Sequence, residues 1–236
     1  MLCTCTILLV EIMNFLAHIY LSGNNKLMMI GNFIGDTVKG KDYLYLHPAV
    51  QKGVLLHRDI DDFTDKNPIN AQMRKLLHPV AGKYAGVYLD MFYDHFLAAN
   101  WNDFSPEVPL RNFCIRFYFD AMFRYKFLPP EIKAFLPALV WKNRLRSYAS
   151  IELLRKALDI MSDWTSLPND NDEIIEILTN NYEKFKAAFY EFFPLIVKHT
   201  ARWRESGNVD AGRLQLPEMF LANISNRDNA DIVSAT

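Results

Sequence analysis

Apolar positions recur along this chain every three or four residues, the period of a helix that buries one face. Phe15, Leu16, Ile19 and Tyr20 predict a first helix; Leu27, Met28, Ile30, Phe33 and Ile34 predict a second, ended near Gly35 and Gly40. Pro48 suits the first turn of a third helix carrying Val50, Val54, Leu55 and Ile60, because the N–H it lacks has no partner there anyway. Asn67-Pro68, a capping side chain before a helix-starting proline, opens a fourth. Tyr84, Val87, Tyr88, Met91, Phe92 and Leu97 form a further stripe ending near Trp101. The stretch from Leu110 to Phe127 repeats the pattern, with Phe113, Phe117 and Phe119 read as core. Two helices fill about 130–146 and 150–164. A last long helix runs from Glu173 to about Glu205, with Asp170 or Asp172 as a cap and a kink at Pro194. No Asn-Gly or Asp-Gly dipeptide stands between alternating runs, so hairpins are not predicted.

The pattern therefore predicts an all-α, single multi-helix domain. Composition agrees: 236 residues, 50% hydrophobic and 14% aromatic, bury a sizeable core, and a net charge of -1 excludes a largely disordered chain. Nine glycines and eleven prolines exclude a collagen-like chain, and three cysteines exclude a disulfide scaffold and suit a reducing cytoplasm. No apolar run is long enough to span a bilayer, and near-neutral charge argues against a general nucleic-acid coat. Residues 1–12 lack the charged start and cleavage site of a signal peptide and read as a poorly ordered upstream extension before an internal start at Met13. Residues 13–206 form the helical domain, and residues 207–236, rich in Asn, Asp, Ser and Ala, are a largely loose tail.

Chemistry concentrates in two clusters. In HRDIDDFTD, His57 and Asp61 lie four apart and share a helix face, with Asp65 a turn further; Asp59 and Asp62 point elsewhere, to solvent. In DMFYDHF, Asp90 and Asp94 again lie four apart, beside His95, among apolar neighbours. Buried carboxylates need a positive partner. Spacing leaves two open: an arginine, Arg58 or one from the 140s, or a divalent ion held by imidazole and carboxylate. Such ligation suits Mn²⁺ or another first-row ion, with Mg²⁺ possible where water and carboxylate dominate. His18 and Asp36 could join the group; otherwise they are a core histidine and a turn carboxylate. His47, His78 and His199 read as structural or exposed. No phosphate loop or nucleophile elbow is present, and Cys114 in an aromatic stripe reads as inert core. Metal-assisted hydrolysis remains, since a bound ion acidifies water and neutralises a phosphoryl oxygen.

MNFLAHIYLS, GNFIGDTVKG, the run from His57 to Asp65, and DMFYDHFLAANW together resemble the acyl carrier protein phosphodiesterase family, also called acyl carrier protein hydrolase. The resemblance begins at Met13 and extends to about residue 200. It implies removal of the 4′-phosphopantetheine arm from the serine of holo acyl carrier protein. It also implies a helical fold related to the HD-type metal-dependent phosphohydrolases and dependence on a divalent ion, Mn²⁺ favoured. This chain carries Asp94-His95 in the reverse of the HD order. Asp36, His57, Asp61 and Asp94 are the expected metal ligands. His18, Asp90 and His95 are expected to handle protons, and Arg58 and Lys39 to pair with a non-bridging oxygen.

The implied substrate is an acidic protein, and one segment could steer it. From Arg111 to Lys156, ten lysines and arginines stand against three acids, densest in WKNRLRS. Arg116, Lys142, Arg144 and Arg146 are the expected docking residues; an ordinary solvated face is the alternative. Two other functions compete: a metal phosphohydrolase acting on nucleotides or small phosphoesters, and a non-catalytic helical module whose acid pairs are satisfied by arginines. No recognised nucleic-acid motif accompanies the basic segment.

Overall fold

A computed structural model describes residues 15–164, 167–168 and 170–206. The expectations for residues 1–12 and 207–236 lie outside the described residues. Among the described residues every regular element is helical. The order is α1 (Phe15–Leu21), α2 (Lys26–Phe33), α3 (Pro48–Lys66), α4 (Pro68–Ala81), α5 (Ala85–Ala99) and α6 (Trp101–Phe104). There follow α7 (Leu110–Phe123), α8 (Pro130–Trp141), α9 (Arg144–Ser147), α10 (Ile151–Trp164), α11 (Asn171–Asn180) and α12 (Tyr182–Glu205).

Local chemistry sets the boundaries. Pro48 occupies the first turn of α3 while His47 Nδ1 accepts from the N–H of Ala49. Asn67 caps α4 by accepting from the N–H of Ile69, and Asn25 caps α2 by accepting from that of Met28. The helix expected over 130–146 is broken, because Asn143 takes a left-handed conformation (φ 45°) between α8 and α9. The long helix expected from Glu173 is two: Asn181 (φ -118°, ψ 22°) leaves the helical region and its side chain donates back to the Ile177 carbonyl. α12 continues through Pro194.

One core unites the elements. α5 is buried along Tyr88, Leu89, Met91, Phe92, Phe96 and Leu97, and α12 brings Phe185, Phe189, Phe192 and Phe193 against it. The aromatic contacts are tilted, edge-on or stacked, as ring quadrupoles favour. Cys114 is buried in that core, and burial pushes its thiol up to about 12, which makes it inert. Phe119 is the exception to the expected core: it faces solvent.

α2 and α3 cross with their backbones touching. A Cβ on Gly31 would overlap the Val50 carbonyl oxygen, and one on Gly53 would overlap that of Met28. Only glycine allows this approach at both positions. The crossing delivers His57, one turn further along α3, against the end of α2.

Candidate metal centre

His57 meets α2 through its Nδ1, which lies 2.8 Å from the backbone oxygen of Asn32. A nitrogen facing a carbonyl must donate, so Nδ1 carries hydrogen and Nε2 is the atom turned to the site. That Nε2 lies 2.9 Å from Asp36 Oδ1 and 3.3 Å from Asp61 Oδ2. Gly35 lets the ring lie on the backbone, since a Cβ there would overlap the imidazole.

His18, on α1, stacks on His57 with ring centroids 4.2 Å apart. Its Nδ1 lies 2.7 Å from Asn32 Oδ1. The Asn32 amide nitrogen donates to the His18 carbonyl and to Ser22 Oγ, so its oxygen is the acceptor and His18 Nδ1 the donor. His18 Nε2 then faces Asp61 Oδ1 at 3.4 Å. One ligand atom each from His18, His57 and Asp61 lie within 4.8 Å of one another. The two imidazoles are buried, while Asp61 is 45% exposed and opens the group to solvent.

The electrostatics call for a cation. Burial opposes charge on His57, but the Asp36 and Asp61 carboxylates outweigh it and raise the imidazole to about 9. Burial, then the charge of His57, holds His18 well below the usual histidine range. One proton on His57 thus stands against two carboxylates and leaves the group net negative. A divalent ion fits the same donors: two Nε2 lone pairs, carboxylate oxygens, and Nδ1–H groups anchored on Asn32 as oriented ligands require.

Asp90, partly buried on α5, lines a cavity of about 30 Å³ with His18, Thr64 and Tyr93. That volume admits a water molecule. Burial, then the charges of Asp61, Asp65, Asp94 and Asp36, raises its carboxyl well above the usual range.

Several expected residues stand apart from this group. Asp94, expected as a ligand, is wholly buried; its two oxygens accept from the N–H groups of Leu16 and Ala17 at 2.9 and 2.8 Å. It anchors the first turn of α1, so backbone N–H groups are its positive partner, rather than an ion or an arginine. Burial raises its carboxyl to about 7, against the pull of those N–H groups. His95, expected to move protons, points to the opposite interior: Nδ1 lies 2.7 Å from the Tyr148 carbonyl and Nε2 3.0 Å from the Tyr182 hydroxyl. His18, expected to handle protons, lies with His57 and Asp61 in the group that could hold a metal ion.

Arg58 donates to the Val38 carbonyl and lies over the Tyr43 ring, beside the Asp36 side of the site. Lys39 is exposed just beyond Asp36. Asp59, expected on a solvated face, is bonded to His199 at 2.5 Å, whereas Asp62 pairs with Lys66 in solvent and Asp65 with Arg74. Of the expected docking residues, Arg116, Lys142 and Arg146 are exposed, but Arg144 is buried. Asn32 and Gly35 were not expected. Both stand in GNFIGDTVKG, and the signal was a polar side chain flanked by apolar residues two positions from Ile34.

The sequence profile described as acyl carrier protein phosphodiesterase matches residues 13–196. Among curated relatives, the acyl carrier protein phosphodiesterase of Enterobacter sp. (strain 638) is 27% identical over 183 residues, 77% of this chain and 94% of its own. That of Salmonella dublin is 27% identical over 191 residues, covering 80% of this chain and 98% of its own. That of Serratia proteamaculans is 26% identical over 187 residues, covering 79% and 96%. No solved structure matches this chain.

Proposed function

This chain belongs to the acyl carrier protein phosphodiesterase family, and from that premise we propose that it is a metal-dependent phosphoric diester hydrolase. Its substrate in this reading is holo acyl carrier protein, from whose serine it releases the 4′-phosphopantetheine arm. A cytoplasmic location is part of this reading, because the carrier protein substrate suits it. No helix among the described residues is long and apolar enough to cross a membrane. The observation that carries the reading is the convergence of His18, His57 and Asp61, with both Nδ1 atoms tied to Asn32.

His18, His57 and Asp61 hold the ion, with Asp36 completing the donor set; Mn²⁺ is favoured for a mixed imidazole and carboxylate site. When bound, the ion supplies Lewis acidity to the phosphoryl group and acidifies water. The chain's own residues do the rest. Lys39 and Arg58, on the Asp36 side, meet non-bridging oxygens as charge shifts. Asp90, beside His18, holds the proton that the departing serine oxygen takes, since a neutral alcohol leaves far more readily than an alkoxide. Kinship with HD-type phosphohydrolases is part of this reading, supported by histidine and aspartate donors on helices.

The test is incubation of the metal-stripped protein with holo carrier protein, with and without Mn²⁺, following the loss of the arm by mass spectrometry. Cleavage that returns with Mn²⁺ and stops with chelator is expected. Full cleavage after stripping overturns the metal role. Hydrolysis of nucleotides or small diesters with none of the carrier protein overturns the substrate. Absence of both activities and of metal binding leaves a binding module.

A further inference from the structure

The outer face of α7 is apolar where a soluble helix is normally polar. Phe119, Met122 and Phe123 are 65%, 52% and 87% exposed, and their i, i+3, i+4 spacing puts them on one stripe. Arg116, exposed, lies one turn before Phe119 on that stripe, and exposed Lys126 follows the helix. The acid of α7, Asp120, is already paired with Lys26 at 3.0 Å and Arg124 at 2.8 Å. The face therefore offers aromatic rings rimmed by cations. Clustered, exposed large apolar side chains with a charged rim mark an interaction surface.

The face adjoins a groove whose far wall carries the residues that follow Asp36. Lys126 and Phe127 line a surface groove of about 400 Å³ whose other wall is Thr37, Val38 and Tyr45. Thr37 follows Asp36 directly, and the Val38 carbonyl receives Arg58. The rival basic stretch, with exposed Trp141, Lys142 and Arg146, has its central Arg144 buried.

We propose that the α7 face formed by Arg116, Phe119 and Phe123 docks an acidic, amphipathic helix of the carrier protein, and that the adjoining groove between Phe127 and Val38 takes its phosphopantetheine arm. This rests on the function proposed above. Apolar residues of the partner helix cover the rings, and its carboxylates meet Arg116 and Lys126. The 111–156 basic segment is thereby narrowed to its first third.

The test uses the full chain. Phe119→Ser/Phe123→Ser and Arg116→Glu are assayed with holo carrier protein and with bis(p-nitrophenyl) phosphate. For carrier protein, KM is expected to rise about tenfold or more with kcat within about twofold, as for loss of an interface anchor. Rates on the small diester, Mn²⁺ content and melting temperature stay unchanged. Arg116→Glu also flattens the salt dependence of kcat/KM. Unchanged KM in both variants overturns the docking face while leaving the function standing. A fall in melting temperature, or dissociation of a dimer on sedimentation, means that the chain's own tail or a second copy covers the face, and overturns it too. Wild-type protein that does not cleave holo carrier protein overturns the function itself, and this proposal with it.

Discussion

Asn32 holds His57 by two oxygens, its carbonyl at 2.8 Å and its side chain at 3.2 Å from Nδ1, and the same side-chain oxygen lies 2.7 Å from Nδ1 of His18. One residue thus sets the tautomer of both imidazoles. Asn32→Ala removes the side-chain acceptor and the amide that donates to Ser22 Oγ, and leaves the His18 carbonyl with the Ser22 hydroxyl alone of its two side-chain donors. Mn²⁺ affinity should fall about 10–100-fold by titration calorimetry. Unfolding free energy should drop by about 1–3 kcal/mol, the cost of buried groups losing a partner. Wild-type affinity in this variant would show that Asn32 does not orient the ligands.

The ligand group itself predicts a contrast along α3. His57→Ala and Asp61→Asn should each lower hydrolysis and Mn²⁺ binding by roughly 10²-fold or more, because each removes a donor. Asp62→Asn, one position away, breaks only an exposed pair with Lys66 and should leave both unchanged. Equal effects at 61 and 62 would mean that local charge, not ligation, matters.

Gly35 predicts a steric contrast. A Cβ there overlaps the His57 ring, so Gly35→Ala must displace the imidazole from its bond to Asn32. A stability loss of about 1–3 kcal/mol is expected, together with weakened Mn²⁺ binding. Gly40→Ala is the control: it meets no atom within 4 Å but has φ +50°, so it should cost about 1 kcal/mol and spare the metal. Chemical denaturation with parallel Mn²⁺ titration separates the two.

These contrasts also mark what was legible in the chain. The starts of α3 and α4 were readable because proline and asparagine act locally, and His57 with Asp61 because four-residue spacing on one helix is a local fact. The break at Asn181 was not, since no glycine or proline announces it. Asn32 meets His57 through the Gly31–Gly53 crossing, and His18 arrives on α1, held by Asp94 and Asn32; these are contacts between distant segments that periodicity does not encode. Asp94 was misassigned by sound logic: a buried carboxylate does need positive partners, but here they are the N–H groups of α1. Phe119 was placed in the core because periodicity identifies a face without saying what covers it.

His95 carries a pH prediction independent of the metal. Its Nδ1 donates to the Tyr148 carbonyl, so Nε2 accepts from the Tyr182 hydroxyl, and protonating Nε2 would break that bond. Burial lowers its folded pKa below the usual value of 6.5, against the pull of the Tyr148 carbonyl. Below that pH the unfolded chain binds a proton that the folded chain refuses. The contribution of His95 to stability is therefore complete above about pH 6.5 and is lost as pH falls toward the folded pKa. His95→Gln keeps a donor and an acceptor but cannot titrate. Wild type should exceed His95→Gln in unfolding free energy at pH 8, and the difference should shrink as pH falls below 6.5, by at most about 1.4 kcal/mol per unit. Urea unfolding of both proteins from pH 8 to 5 measures this. A constant difference across that range would mean that His95 titrates alike in the folded and the unfolded chain, and a difference that grows as pH falls would mean that it is charged in the fold; either result overturns the assignment of Nε2 as acceptor.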